Sequence, residues 1–115
     1  MTETVMTAQE VFDIAVGGVL KQGALSAESG RCFYRGPNGL KCAVGQLLKD
    51  DEVNDELALY DMVLPDRLEP HRKLLEELQS AHDDATSLSH PMNGFAVSAA
   101  RVAAEAGLEM VEVQT

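Results

Sequence analysis

Residues 31–48 read RCFYRGPNGLKCAVGQLL, and this stretch decides whether the chain is purely helical or mixed. Cys32, Phe33, Tyr34 and Arg35 favour extended backbone. Gly36-Pro37-Asn38-Gly39 follows, combining the fixed negative φ of proline with the permissive φ of glycine and asparagine that a tight reversal needs. The pattern predicts a short β-hairpin over 31–41, with Leu40 and Lys41 returning. Beyond the turn, Cys42, Ala43, Val44, Leu47 and Leu48 fall on one helical face, which predicts a helix over 42–48.

Towards the N-terminus, Thr7-Ala-Gln-Glu10 has the spacing of a capping box. A helix is predicted over 5–23. Its apolar stripe is Val11, Phe12, Ile14, Ala15, Val19 and Leu20, and Gly23 ends it. Gly17-Gly18 in its middle costs about 1 kcal/mol per glycine against alanine, which points to close packing or a bend. Towards the C-terminus, residues 49–55 are acidic loop, and 56–64 reads as a short helix stopped by Pro65. The clearest helix is predicted over 70–85, with Leu74, Leu75, Leu78, Ala81, His82 and Ala85 inward. Arg72 with Glu76, and Lys73 with Glu77, lie four apart on its outer face. Phe95, Ala99, Val102 and Ala106 mark a last helix over 92–107, ended by Gly107; residues 109–115 read as a weak strand or tail. The expected fold class is α+β, mostly α, with about four helices and one short β-hairpin inserted after the first.

At 115 residues the chain is expected to form a single domain, 1–115, burying roughly 65% of its unfolded surface. Its formal net charge of −10 argues against general affinity for nucleic acid or anionic membrane, and leaves DNA mimicry as a minor alternative. No apolar run approaches the roughly 20 residues that span a bilayer, and MTETVMTAQE lacks the basic and apolar regions of a signal peptide. The expected location is cytoplasmic. Two cysteines fit a reducing compartment.

Residues 31–48 contain Arg31, Arg35 and Lys41 and no acid. The remaining six cations stand against nineteen acids, so a local +3 sits on a body of −13. Arg31, Tyr34, Arg35, Asn38 and Lys41 are therefore the candidate residues for binding a ligand or partner. An arginine fork matches phosphate, a tyrosine ring stacks on a base, and a glycine turn presents backbone donors. The structural alternative is that these cations pair with neighbouring carboxylates, as surface bridges worth about 0–1 kcal/mol each.

Cys32 and Cys42, ten residues apart with no second pair, are a weak metal signal, and a disulfide between them runs against a reducing compartment. Cys42 as nucleophile would need His82 and Asp83 as base and orienter; buried structural thiols are the simpler reading. His82-Asp83-Asp84 cannot converge on one ion, because neighbours on a helix point about 100° apart. No cofactor, metal site or catalytic residue is expected.

The run CFYRGPNGLKCAVGQLL, with LQSAHDDA downstream, resembles a family of small, largely uncharacterised proteins of tailed bacteriophages and prophages. Its pattern Cys-x-Tyr-Arg-Gly-Pro-x-Gly-x-Lys-Cys-Ala-Val-Gly falls on Cys32, Tyr34, Arg35, Gly36, Pro37, Gly39, Lys41, Cys42, Ala43, Val44 and Gly45. Relatives often carry a third cysteine where this chain has Gln46, which weakens a metal reading here. The resemblance implies a phage accessory protein that binds and inhibits a bacterial host protein or defence complex without catalysis. A sponge for a cyclic or other nucleotide, built as a homo-oligomer, is the alternative, and a cysteine hydrolase the less favoured one.

Overall fold

The computed structural model describes residues 4–28, 31–53 and 62–111, apart from the side chains of residues 28, 31, 32 and 37. Three α-helices dominate the described residues: α1 Ala8–Gln22, α2 Arg72–Ala85 and α3 Pro91–Ala106.

Helix α1 starts where the capping box puts it. Thr7 Oγ1 accepts from the Glu10 N–H at 3.1 Å, and Glu10 returns a carboxylate oxygen to the Thr7 N–H at 2.8 Å. Two backbone donors that a helix start leaves open are thereby filled. Gly23 ends the helix at φ 76, a left-handed value that costs glycine little. Between these stops, Val11, Phe12, Ala15, Val16 and Val19 are fully buried. Gly18 answers to sterics: a Cβ there would overlap the Gln46 side chain, which crosses the helix at that point.

Helices α2 and α3 make the most extensive helix pair. The five-residue link 86–90 turns the chain back, as expected of an αα-hairpin. Leu75, Leu78, Ala81, His82 and Ala85 of α2 face Phe95, Ala99, Val102 and Ala103 of α3. Lys73, Leu74 and Glu77 at one end line a cleft of about 260 Å³ with Glu105 and Ala106, which fixes the pair as antiparallel. Arg72 pairs with Glu69 one turn back, at 3.1 Å, is also stabilised by the charge of the expected Glu76, and its fork reaches the Met62 carbonyl at 2.6 Å.

The predicted hairpin over 31–41 is not formed, and the α+β class is corrected to predominantly helical. Among the described residues the ladder is two residue pairs, Ala27 with Cys32 and Glu28 with Arg31, linking β1 (Ala27–Glu28) to β2 (Arg31–Cys32). The reason is competition for backbone groups. The Phe33 N–H donates to the Ser26 carbonyl at 3.1 Å, and Ser26 Oγ donates to the Phe33 carbonyl at 2.7 Å. On the other arm the Lys41 N–H and carbonyl are both held by the Gln22 side chain, at 3.1 and 2.7 Å. The arms touch where the Gly36 N–H meets the Leu40 carbonyl at 2.8 Å; a 3-10 turn at Pro37–Gly39 lies between.

The helix predicted over 42–48 is likewise replaced by a 3-10 turn at Val44–Gln46. Cys42, Ala43, Val44, Leu47 and Leu48 are all buried, so the segment has little polar face to give to water. Seven residues also fall short of what sustains a helix unaided. The helix predicted over 56–64 lies mostly outside the described residues, and Met62–Leu64 are not helical. Of the predicted tail, residues 109–111 are irregular and 112–115 fall outside the described residues. Gln9 holds Glu109 through two side-chain hydrogen bonds of 2.9 Å. No described helix is long and apolar enough to cross a membrane.

Candidate functional site

Of the five residues singled out by sequence, the four whose side chains are described do not converge. Arg35 turns inward, with 24% of its side chain exposed. Its guanidinium donates to the carbonyls of Gly45 at 2.7 Å, Leu48 at 2.6 Å and Tyr34 at 3.2 Å, and its Nε meets Asp50 at 3.0 Å. The planar fork that suits phosphate is thus filled by the chain's own carbonyls. Tyr34 is buried at 7% exposure, leaving no face for a base to stack on. Asn38 sits exposed at the tip of the turn in the left-handed region, φ 59, and Lys41 is half-buried. Arg31 contributes backbone to β2, while its side chain is among those not described.

What the stretch builds is an anchor. Arg35 closes a loop from Tyr34 to Leu48 around the Val44–Gln46 turn, and Gly45 permits it, because a Cβ there would overlap the Tyr34 carbonyl. A second arginine continues the arrangement. Arg67 grips Glu52 with both nitrogens, at 2.9 and 2.6 Å, and reaches the Leu47 carbonyl at 2.8 Å. That fork holds the Glu52 carboxyl down at about 2, with the Lys49 backbone N–H assisting.

On the inner side a chain of hydrogen bonds ties the same stretch to α2. The Val44 N–H donates to Gln79 Oε1 at 3.1 Å, and Gln79 Nε2 to Asp83 Oδ1 at 2.9 Å. The Ser26 N–H donates to Nε2 of fully buried His82 at 3.1 Å, so the ring proton lies on Nδ1, which donates to Asp83 Oδ1 at 3.1 Å. Ser26 Oγ then carries the chain on to Phe33. Serine, histidine and aspartate stand in one line here, but they do not form a nucleophilic triad. It is the Ser26 backbone, not its hydroxyl, that meets the imidazole, and Ser26 and His82 are both closed to solvent.

Cys42 completes this interior. Burial pushes its thiol up to about 12, and its sulfur accepts from the Gly45 N–H at 3.3 Å. A thiol so placed is a packed apolar group, as the simpler sequence reading had it. Among the described residues no group of three His, Cys, Asp or Glu side chains could hold a metal. An apolar hollow of about 340 Å³ lies beyond the end of α1, lined by Leu25, Ala27, Thr86, Pro91 and Met92 among others, with no ionisable side chain among the described residues that line it.

Sequence reasoning missed Ser26, Gln22, Gln79 and Arg67. Only Gln79 carried a signal, its i,i+4 spacing to Asp83. The other three lie in segments whose pattern names no partner. No family model, curated protein or solved structure compared with this chain matches it.

Proposed function

We propose that this chain is a non-enzymatic acidic binding protein that docks on a basic face of a bacterial protein and blocks it. On this reading, which rests on the resemblance to phage proteins, it acts on a host or defence component in the cytoplasm of a bacterial host. One observation supports this reading above others: three of the five arginines are spent on the chain's own groups. Arg35, Arg67 and Arg72, three of the nine cations, are engaged with backbone carbonyls and carboxylates. Asp13, Asp51, Asp66, Asp84, Glu105 and Glu109 stay exposed. With those three arginines matched by Asp50, Glu52 and Glu69, the remaining six cations face sixteen acids, and the −10 is left as a net negative field. Such a field attracts a cationic partner and speeds encounter. The buried, high-pKa thiol of Cys42 weighs against a hydrolase, and the filled Arg35 fork weighs against a nucleotide sponge.

The test is capture of a partner from bacterial lysate, followed by titration of the purified pair at low and high ionic strength. Affinity should fall steeply as salt rises, and Asp51→Lys with Asp66→Lys should weaken it further. Binding that is indifferent to ionic strength and to both reversals would refute the electrostatic account. An unchanged activity of the captured partner at saturation would refute the inhibitory one.

A further inference from the structure

The chain contains the dipeptide Asn-Gly twice, at Asn38-Gly39 and Asn93-Gly94, and the fold treats the two copies oppositely. We propose that Asn38-Gly39 is a site of spontaneous covalent modification, converting by intramolecular deamidation to aspartyl and isoaspartyl products, while Asn93-Gly94 is protected.

In this reaction the backbone nitrogen of the glycine, having lost its proton, attacks the side-chain Cγ of the asparagine. A carbon–nitrogen bond forms, the bond from Cγ to the amide nitrogen breaks, and that nitrogen leaves as ammonia. The cyclic imide is then opened by water at either carbonyl, which gives a normal or an isomerised linkage. No oxidant or other co-reactant is needed. Two conditions control the rate. The glycine nitrogen must be free to lose its proton, and the backbone about the asparagine must be free to rotate until side chain and nitrogen meet.

The second condition, freedom to rotate, favours position 38. Asn38 and Gly39 are each exposed, at the tip of a three-residue 3-10 turn. A Cβ built on Gly39 would find no atom within 4 Å, so open space surrounds the attacking residue. Asn38 is the one non-glycine residue with positive φ among those described, φ 59 and ψ 28, a basin only asparagine and a few others tolerate. Leaving that basin opens only a three-residue turn instead of a long helix.

Position 93 has the same chemistry and the opposite setting. Asn93 is also exposed, so exposure alone does not separate the two sites. The Gly94 N–H, however, donates to the His90 carbonyl at 3.0 Å in the first turn of α3, which holds its proton in place. The Leu88 side chain lies against Gly94 and crowds the space into which the backbone would turn. Helical ψ must be abandoned before the ring can close, so reaction there waits on local opening of α3.

The product matters to the loop it forms in. Modification adds one carboxylate to the formal −10, within the stretch where cations otherwise prevail. The isomerised linkage also lengthens the backbone by one methylene inside the loop closed by the Gly36 N–H and the Leu40 carbonyl, the carbonyl that Ser26 Oγ also approaches at 3.4 Å. Age of the protein is thereby written into the exposed turn at the tip of the central stretch.

The experiment is to hold the full chain at mildly alkaline pH, digest it, and quantify both asparagine peptides by mass spectrometry. Isoaspartate is read separately with an isoaspartyl methyltransferase. In the folded protein, conversion at Asn38 should outrun that at Asn93 by about tenfold or more, the protection expected of one helical hydrogen bond and its surroundings. In denaturant the two rates should draw together, since both sites then have the same local chemistry. Comparable rates in the folded protein would overturn the proposal. So would a preference for Asn38 that persists undiminished in denaturant, because the fold would then not be its cause. Asn38→Gln, in which the competing ring is larger and slower to close, should remove the methyltransferase signal from the folded protein.

Discussion

Replacing Arg35 by alanine tests whether the cation at the heart of the central stretch is a recognition residue or a structural one. Its guanidinium makes two short bonds to the carbonyls of Gly45 and Leu48, a longer one to Tyr34, and an ion pair with Asp50. A hydrogen bond to a charged group contributes about 1.5–3 kcal/mol, and the guanidinium is only about one-quarter exposed, so the two short bonds at the low end of that range give about 3 kcal/mol. Asp50 is 93% exposed, and its pair with Arg35 adds less than about 1 kcal/mol. Arg35→Ala should therefore cost on the order of 3–4 kcal/mol and lower Tm by about 10–15 °C, which a domain of ordinary stability survives. Asp50→Ala should move Tm by no more than about 4 °C. Arg35→Lys keeps the charge but has no fork to span three carbonyls, and should recover only part of the loss. Urea titration followed by circular dichroism gives all three values. If Arg35→Ala cost under about 1 kcal/mol, or Asp50→Ala cost as much as Arg35→Ala, the anchor described here would be wrong and the arginine would be free for a ligand.

Two further outcomes follow from the interior and its ion pair. In a Cys32→Ser background, Cys42 of the folded protein should react with thiol reagents only slowly near neutral pH and at the ordinary rate in denaturant, since its thiol stands at about 12; rapid labelling of the folded protein would contradict its burial. Glu52 titrates at about 2 folded against 4.5 in the reference state, so its contribution is fully present above about pH 4.5 and is lost as pH falls towards 2. The stability difference between the protein and its Glu52→Gln variant, about 1–3 kcal/mol near neutral pH after allowance for solvent screening, should accordingly shrink over that acid range, and a constant difference would refute the role of the Arg67 fork.

Local signals in the sequence were enough for the three helices. Thr7 and Glu10 mark the start of α1 because their partners lie within the same turn, and Gly23 and Gly107 mark ends because a left-handed φ is a property of one residue. The apolar spacing of Leu75, Leu78 and Ala81, and of Phe95, Ala99 and Val102, likewise names the buried face of α2 and α3 without reference to anything distant.

The central stretch was different, since its fate depends on groups far away in the chain. Gly36-Pro37-Asn38-Gly39 does reverse the chain, as its residue types require. Whether its arms then pair with each other was decided by Ser26 and Gln22, which take the backbone donors and acceptors first. The same holds for the five candidate binding residues. Charge counting could see Arg31, Arg35 and Lys41 as a cluster, but not that carbonyls 10 and 13 residues further on fill the fork of Arg35. Composition and short-range pattern belong to the sequence, because caps, turns and helix faces involve neighbours a few residues apart. Which side chain satisfies which buried backbone group belongs to the tertiary structure, because that competition is settled only when segments 15 to 60 residues apart are brought together.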